Sequence, residues 1–107
     1  MSDTKSAYQA LRELAKTNDT VFVDAKDAMI NIGKLQDKYN KTKDKNILKN
    51  IAQEKQALAT KIKNINVEQT NLDENHKKNL INLQNQLTNH NMSAEQLYAN
   101  LKLNYSL

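Results

Sequence analysis

The sequence predicts an all-α protein: an antiparallel helical hairpin extended to a small three- to five-helix bundle with coiled-coil-like packing. Three observations carry that expectation. Proline is absent and glycine occurs once in 107 residues, which removes the turn chemistry of sandwiches and barrels and every glycine-rich phosphate cradle. Ala7, Leu11, Leu14, Asn18, Val21, Ala25, Ala28, Ile32, Leu35 and Tyr39 are spaced alternately four and three residues apart, which is the seam of a heptad repeat. Two further stretches, 20–41 and 45–66, flank a segment with no apolar residue, as equal arms around a short turn should.

A chain of this length holds one helical domain, 1–107, and not two cores of ordinary size. Leu, Ile, Val and Phe number 24, and the mean hydropathy is -0.83. That is just above the roughly one-fifth content below which chains stay disordered, so the domain folds with little margin.

The first expected helix spans about residues 4–17. Tyr8 and Ala15, like Phe22 and Met29 further on, lie beside the seam and widen the apolar stripe to three positions. Such a width suits a helix with more than one neighbour. Thr17-Asn18-Asp19-Thr20 interrupts the stripe with residues whose side chains compete for backbone hydrogen bonds. Two readings fit: a helix end with Asn18 or Asp19 capping the next helix, or one continuous helix with Asn18 as a buried register-setting amide.

The second helix, 20–41, contains the lone Gly33, tolerated at a cost of about 1 kcal/mol. Asn40 to Asn46 forms the turn, with Thr42 or Asp44 able to cap the third helix. That helix, 45–66, carries Ile47, Leu48, Ile51, Ala52, Leu58, Ala59, Ile62 and Ile65 at helical spacing. Each of these two arms is about 33 Å long at 1.5 Å per residue. Lys55 falls on the seam and is expected to bury its stem while its ammonium reaches water.

Polar residues dominate from Asn66 to Asn75. Asn71, with Glu74 three residues later, can start a fourth helix over 71–90 through Leu80, Leu83 and Leu87 with Ile81 alongside. Met92-Ser93-Ala94-Glu95-Gln96-Leu97 reads as a capping box with a hydrophobic staple, opening a fifth helix over 93–102. The tail 102–107 alternates apolar and polar residues, a two-residue period. It reads either as a frayed helix end on the protein's own core or as an extended arm for a second chain.

Cysteine is absent, which removes disulfides, thiolate nucleophiles and the cysteine-bearing zinc sites. His76 and His90 would stand roughly 21 Å apart on one helix, too far to share a metal. Asp73-Glu74-Asn75-His76 contains a lone Asp-x-x-His at an expected helix start, where carboxylates are favoured by the helix dipole. Ser2, Ser6, Ser93 and Ser106 have no base and orienting carboxylate that sequence would place beside them. No catalytic, cofactor-binding or metal site is expected.

Lysine outnumbers arginine 15 to 1 and asparagine occurs 16 times, the skew that AT-rich codons produce. The positive excess is central: residues 34–64 carry nine basic and three acidic groups. Lys34, Lys38, Lys41, Lys45 and Lys49 are the candidate polyanion contact, although a solvated lysine face is the plainer reading. The only arginine, Arg12, lacks companions for forked phosphate or guanine contacts. A membrane-surface role fits less well, because the C-terminal apolar face is short and the lysines lie on another segment.

With reacting groups set aside, surfaces remain. The expected function is a non-enzymatic helical interaction subunit acting in assembly, as a structural, scaffolding or adaptor protein of a phage or mobile element. The expected partner is protein, either a second copy or a larger assembly. The alternatives are a small inhibitor or immunity-type binder of one protein target, and a lysine-rich nucleic-acid-associated protein. The candidate interface is Tyr8, Leu11 and Leu14 at one end with Leu97, Tyr98, Leu101, Leu103 and Tyr105 at the other. The start Met1-Ser2-Asp3-Thr4-Lys5 lacks the basic and apolar pattern of a secretion signal, so the expected location is the cytoplasm or a virion-type particle.

Overall fold

The computed structural model describes residues 23–105, and the side chains of 25–103. Among these residues there are four α-helices and no strand. Helix α1 spans Val23–Thr42, α2 Lys45–Lys63, α3 Glu74–Thr88 and α4 Ala94–Tyr105, with one 3-10 turn at Val67–Gln69 between α2 and α3. The helix expected over 4–17 and the alternatives at Thr17–Thr20 lie outside the described residues.

Helix α2 is the element on which α1, α3 and α4 all pack. Its apolar positions explain why: Ile47, Ile51, Leu58, Ala59 and Ile62 are buried, a stripe that widens toward its C-terminal half. Laid end to end, the 39 residues of α1 and α2 would reach about 59 Å at 1.5 Å per residue. The longest extent is 46 Å and α1 packs directly against α2, so the chain reverses at the Lys43–Asp44 connection. Ala25, Ala28, Met29 and Ile32 of α1 then meet the α2 stripe in one core, to which α3 adds Leu80, Leu83 and Leu87 and α4 adds Leu97, Tyr98 and Leu101. Leu35, Tyr39, Ile65 and Leu72 pack against its edge. Leu48, Ala52 and Ile81, expected on core stripes, are exposed instead, because each stands on the flank of a helix whose buried face is narrower at that level.

The helix ends follow side-chain chemistry. Asp44 accepts a hydrogen bond from the Asn46 amide at 2.9 Å and opens α2. Asp73, not Asn71, caps α3: its Oδ1 accepts from the His76 amide at 2.8 Å, so the helix begins at Glu74, three residues later than the sequence pattern predicts. At the start of α4 the Gln96 amide donates to Ser93 Oγ at 3.1 Å and the Ser93 amide to Gln96 Oε1 at 2.9 Å, the reciprocal arrangement of a capping box. The staple residues Met92 and Leu97 are both buried. Helix α2 stops at Lys63 instead of 66, where the Asn64 amide turns back to Thr60 O and the Ile65 amide to Ile62 O.

Of its two readings the tail takes the helix end. Residues 102–105 are helical, and the extended arm is not formed there; residues 106–107 lie outside the described part. A strand would have placed Leu101 and Leu103 on one face. The helix separates them, with Leu101 1% exposed and Leu103 78% exposed. Continuing the backbone hydrogen bonds of α4 and seating Leu101 outweighed keeping Leu103 covered.

Positive φ occurs at two described residues, and neither is glycine: Lys43 at 56° and His90 at 61°. Lys43 donates its amide to Tyr39 O at 2.7 Å, the left-handed stop of α1. His90 ends α3 in a Schellman turn, with the Asn91 amide on Gln86 O at 2.9 Å and the His90 amide on Leu87 O at 3.3 Å. Gly33, meanwhile, sits inside α1, where an added Cβ would meet nothing within 4 Å. Glycine is thus absent where the backbone favours it and present where it costs helix stability. Gly33→Ala and His90→Gly are each expected to raise the unfolding free energy by about 0.5–1 kcal/mol, read as a higher urea midpoint at unchanged slope.

Candidate functional site

The structure separates the candidate interface residues into three groups. Tyr8, Leu11 and Leu14 lie outside the described residues. Leu97, Tyr98 and Leu101 are 0%, 8% and 1% exposed, so they belong to the protein's own core and are not a free contact surface. Leu103 stands in solvent on α4, and Tyr105 is its last residue. The capping box sets the phase of α4, which turns Leu97 and Leu101, four residues apart, onto α2 and leaves Leu103 outside.

Leu103 has company. Ile30 on α1, Leu48 on α2 and Ile81 on α3 are 38%, 42% and 42% exposed, so every helix leaves one large aliphatic side chain partly or wholly uncovered.

A polar cluster that sequence reasoning missed joins α2 to α4. Lys55 does bury its stem, with its side chain 12% exposed. Its ammonium, however, donates to both carboxylate oxygens of Glu95, the longer contact being 2.8 Å, and lies 4.8 Å from the centroid of the Tyr98 ring. The pair Glu95 and Tyr98, three apart on α4, was visible as one helix face; that Lys55, forty residues earlier, would meet it was not. Burial raises the Tyr98 hydroxyl pKa above its ordinary value of 10.0, and the charges of Glu95 and Asp37 add to the shift. A group raised on folding contributes stability that is complete below its unfolded value and is lost as pH climbs through the folded one. Stability should therefore fall more steeply above about pH 10 in the parent than in Tyr98→Phe, measured by urea denaturation across alkaline pH.

A second long-range polar contact closes α2. The Gln84 side-chain amide of α3 donates to Ile65 O at 2.9 Å, Ile62 O at 3.1 Å and Lys63 O at 3.4 Å. Ile62 O already accepts from the Ile65 amide, so the Gln84 amide chiefly serves the carbonyls of Lys63 and Ile65 beyond the last turn of α2.

Of the histidines, His76 Nδ1 lies 3.3 Å from Asp73 Oδ1, and His90 is exposed at the end of α3. No group of three or more metal-ligating side chains occurs among the described residues. None of the described helices is long and apolar enough to cross a membrane.

The five candidate lysines fall on both sides of the reversal, Lys34, Lys38 and Lys41 on α1 and Lys45 and Lys49 on α2. All are exposed. The turn breaks the single ridge that a continuous helix would have made but returns both halves to one end of the molecule. No family model, no curated protein and no solved structure matches this chain.

Proposed function

We propose that the chain is a non-enzymatic helical subunit that acts in assembly, its helices paired in the antiparallel, coiled-coil-like manner of a small bundle and its partner a second copy of itself. The observation that carries this reading is Leu103. A leucine contributes about 1.5–3 kcal/mol when fully buried, and here the side chain is 78% exposed on a helix whose other leucines are seated. Tyr105 and Leu107 follow it in the sequence. A small domain with a thin apolar reserve gains stability by covering such groups against a neighbour.

The test is native mass at micromolar concentration, with crosslinking. A dimer or higher oligomer that Leu103→Asp converts to a monomer of unchanged helicity is the expected result. A monodisperse monomer, unchanged by crosslinking, overturns the reading, as does stoichiometric recovery of one enzyme or toxin in place of a second copy.

A further inference from the structure

The net charge of this protein is not spread over it. Between residues 34 and 49 there are six lysines, at 34, 38, 41, 43, 45 and 49, against two aspartates, Asp37 and Asp44. That local excess of four equals the net charge of the whole chain. The remaining residues balance, with ten basic groups against ten acidic. Codon drift toward lysine acts on every position alike; it does not collect the entire surplus in one short segment.

The fold then concentrates what the sequence collects. Lys34 to Thr42 is the last stretch of α1, about 12 Å long, and Lys45 to Lys49 is the first turn of α2, about 6 Å. Because the chain reverses at Lys43–Asp44, both stretches lie at one end. All six lysines are exposed, and none forms an ion pair among the described residues. Asp44, the nearest carboxylate in sequence, is committed to the Asn46 amide. Lys43 occupies a left-handed position that asparagine tolerates better. Asparagine is as favoured by AT-rich codons and is used 16 times elsewhere, yet this position at the tip carries a charge. Lys43 Nζ stands 5.4 Å from the Tyr39 ring centroid, so its stem lies along the end of α1.

We propose that the α1–α2 tip is a binding surface for the phosphate backbone of double-helical nucleic acid, without base readout. Lysine supplies point charges and not the bidentate forks that read guanine. Phosphate contact without base contact positions a protein on a duplex and carries no sequence information. An anionic membrane fits less well, since between residues 34 and 49 Leu48 is the one exposed large aliphatic side chain, too little apolar surface to insert between headgroups. This surface is independent of the Leu103 contact.

The test is fluorescence anisotropy with a labelled mixed-sequence duplex of about 20 base pairs, the full chain, and salt raised from about 20 to 200 mM. With three to five phosphates neutralised, the logarithm of the association constant should fall against that of salt with a slope of about -2.7 to -4.5. Changing Lys38, Lys41, Lys45 and Lys49 together to glutamine should weaken binding at low salt by roughly 30-fold or more and flatten that slope. A control with Lys26, Lys61, Lys63 and Lys78 changed to glutamine has the same net charge. It should lose less than about 3-fold, because those lysines lie outside the segment 34–49 and release no counterions from the phosphates held there. Circular dichroism on both variants confirms that helicity is kept. Absence of salt-sensitive binding by the parent, equal losses in the two variants, or equal or tighter binding to phosphatidylserine vesicles or to polyglutamate overturns the proposal. Since the Leu103→Asp monomer should bind the duplex as the parent does, failure here leaves the assembly test untouched.

Discussion

Leu58→Ala lowers the unfolding free energy by about 2–5 kcal/mol. Leu58 is 0% exposed and sits on α2, the helix that three others share. Replacing its isobutyl side chain with a methyl leaves a cavity in the shared core, which close-packed neighbours cannot all move inward to fill. Domains of about this size hold roughly 5–15 kcal/mol in total, so this one change removes a large fraction of what keeps the protein folded. Urea denaturation at 25 °C followed by circular dichroism reads the loss. A change below about 1 kcal/mol would mean that the site collapses freely and that α2 is not the shared centre.

Gln84→Leu costs about 1–3 kcal/mol, although it replaces a polar side chain with an apolar one of similar size on a half-buried face. The reason is asymmetry. Ile62 O keeps the Ile65 amide and Lys63 O is open to water, but the Ile65 carbonyl loses the amide that serves it, and a partly buried acceptor without a donor bears its desolvation penalty. Gln84→Glu sharpens the test. An ionised carboxylate can only accept hydrogen bonds and would face three other acceptors, which raises its pKa above the ordinary glutamate range; once protonated, the acid regains a donor. The Glu variant should be less stable than the Leu variant at neutral pH, with the gap narrowing on acidification. Identical stabilities across that range would show that the amide contributes nothing to the α2 end.

These two residues also mark how far the sequence could be read. The stripe that contains Leu58 was legible because burial on a helix repeats every three to four residues. The Ser93–Gln96 capping box was legible because its partners are three residues apart. Gln84 was silent: its acceptors lie 19 to 22 residues away, and a glutamine that caps a distant helix has no local pattern separating it from one in water. Lys55 was half legible, its buried stem following from its seam position while its partner Glu95 did not. The tail left two readings open because Leu101, Leu103, Tyr105 and Leu107 satisfy a two-residue period, and tertiary seating of Leu97 and Leu101 chose the helix end over the extended arm as far as Tyr105. Of the candidate interface, Leu103 survived as exposed, while Leu97, Tyr98 and Leu101 proved to be core, since an amphipathic stripe does not state which neighbour covers it.

The connection of only two residues between α1 and α2 has a consequence in time as well as in space. Closing so short a link forfeits little chain entropy, and proteins dominated by near-neighbour contacts cross their folding barrier quickly. The α1–α2 pair is therefore expected to form the nucleus, with α4 arriving afterwards across a separation of some forty residues. Truncations such as Ile51→Val, in the nucleus, should slow refolding, whereas Leu101→Ala should chiefly hasten unfolding.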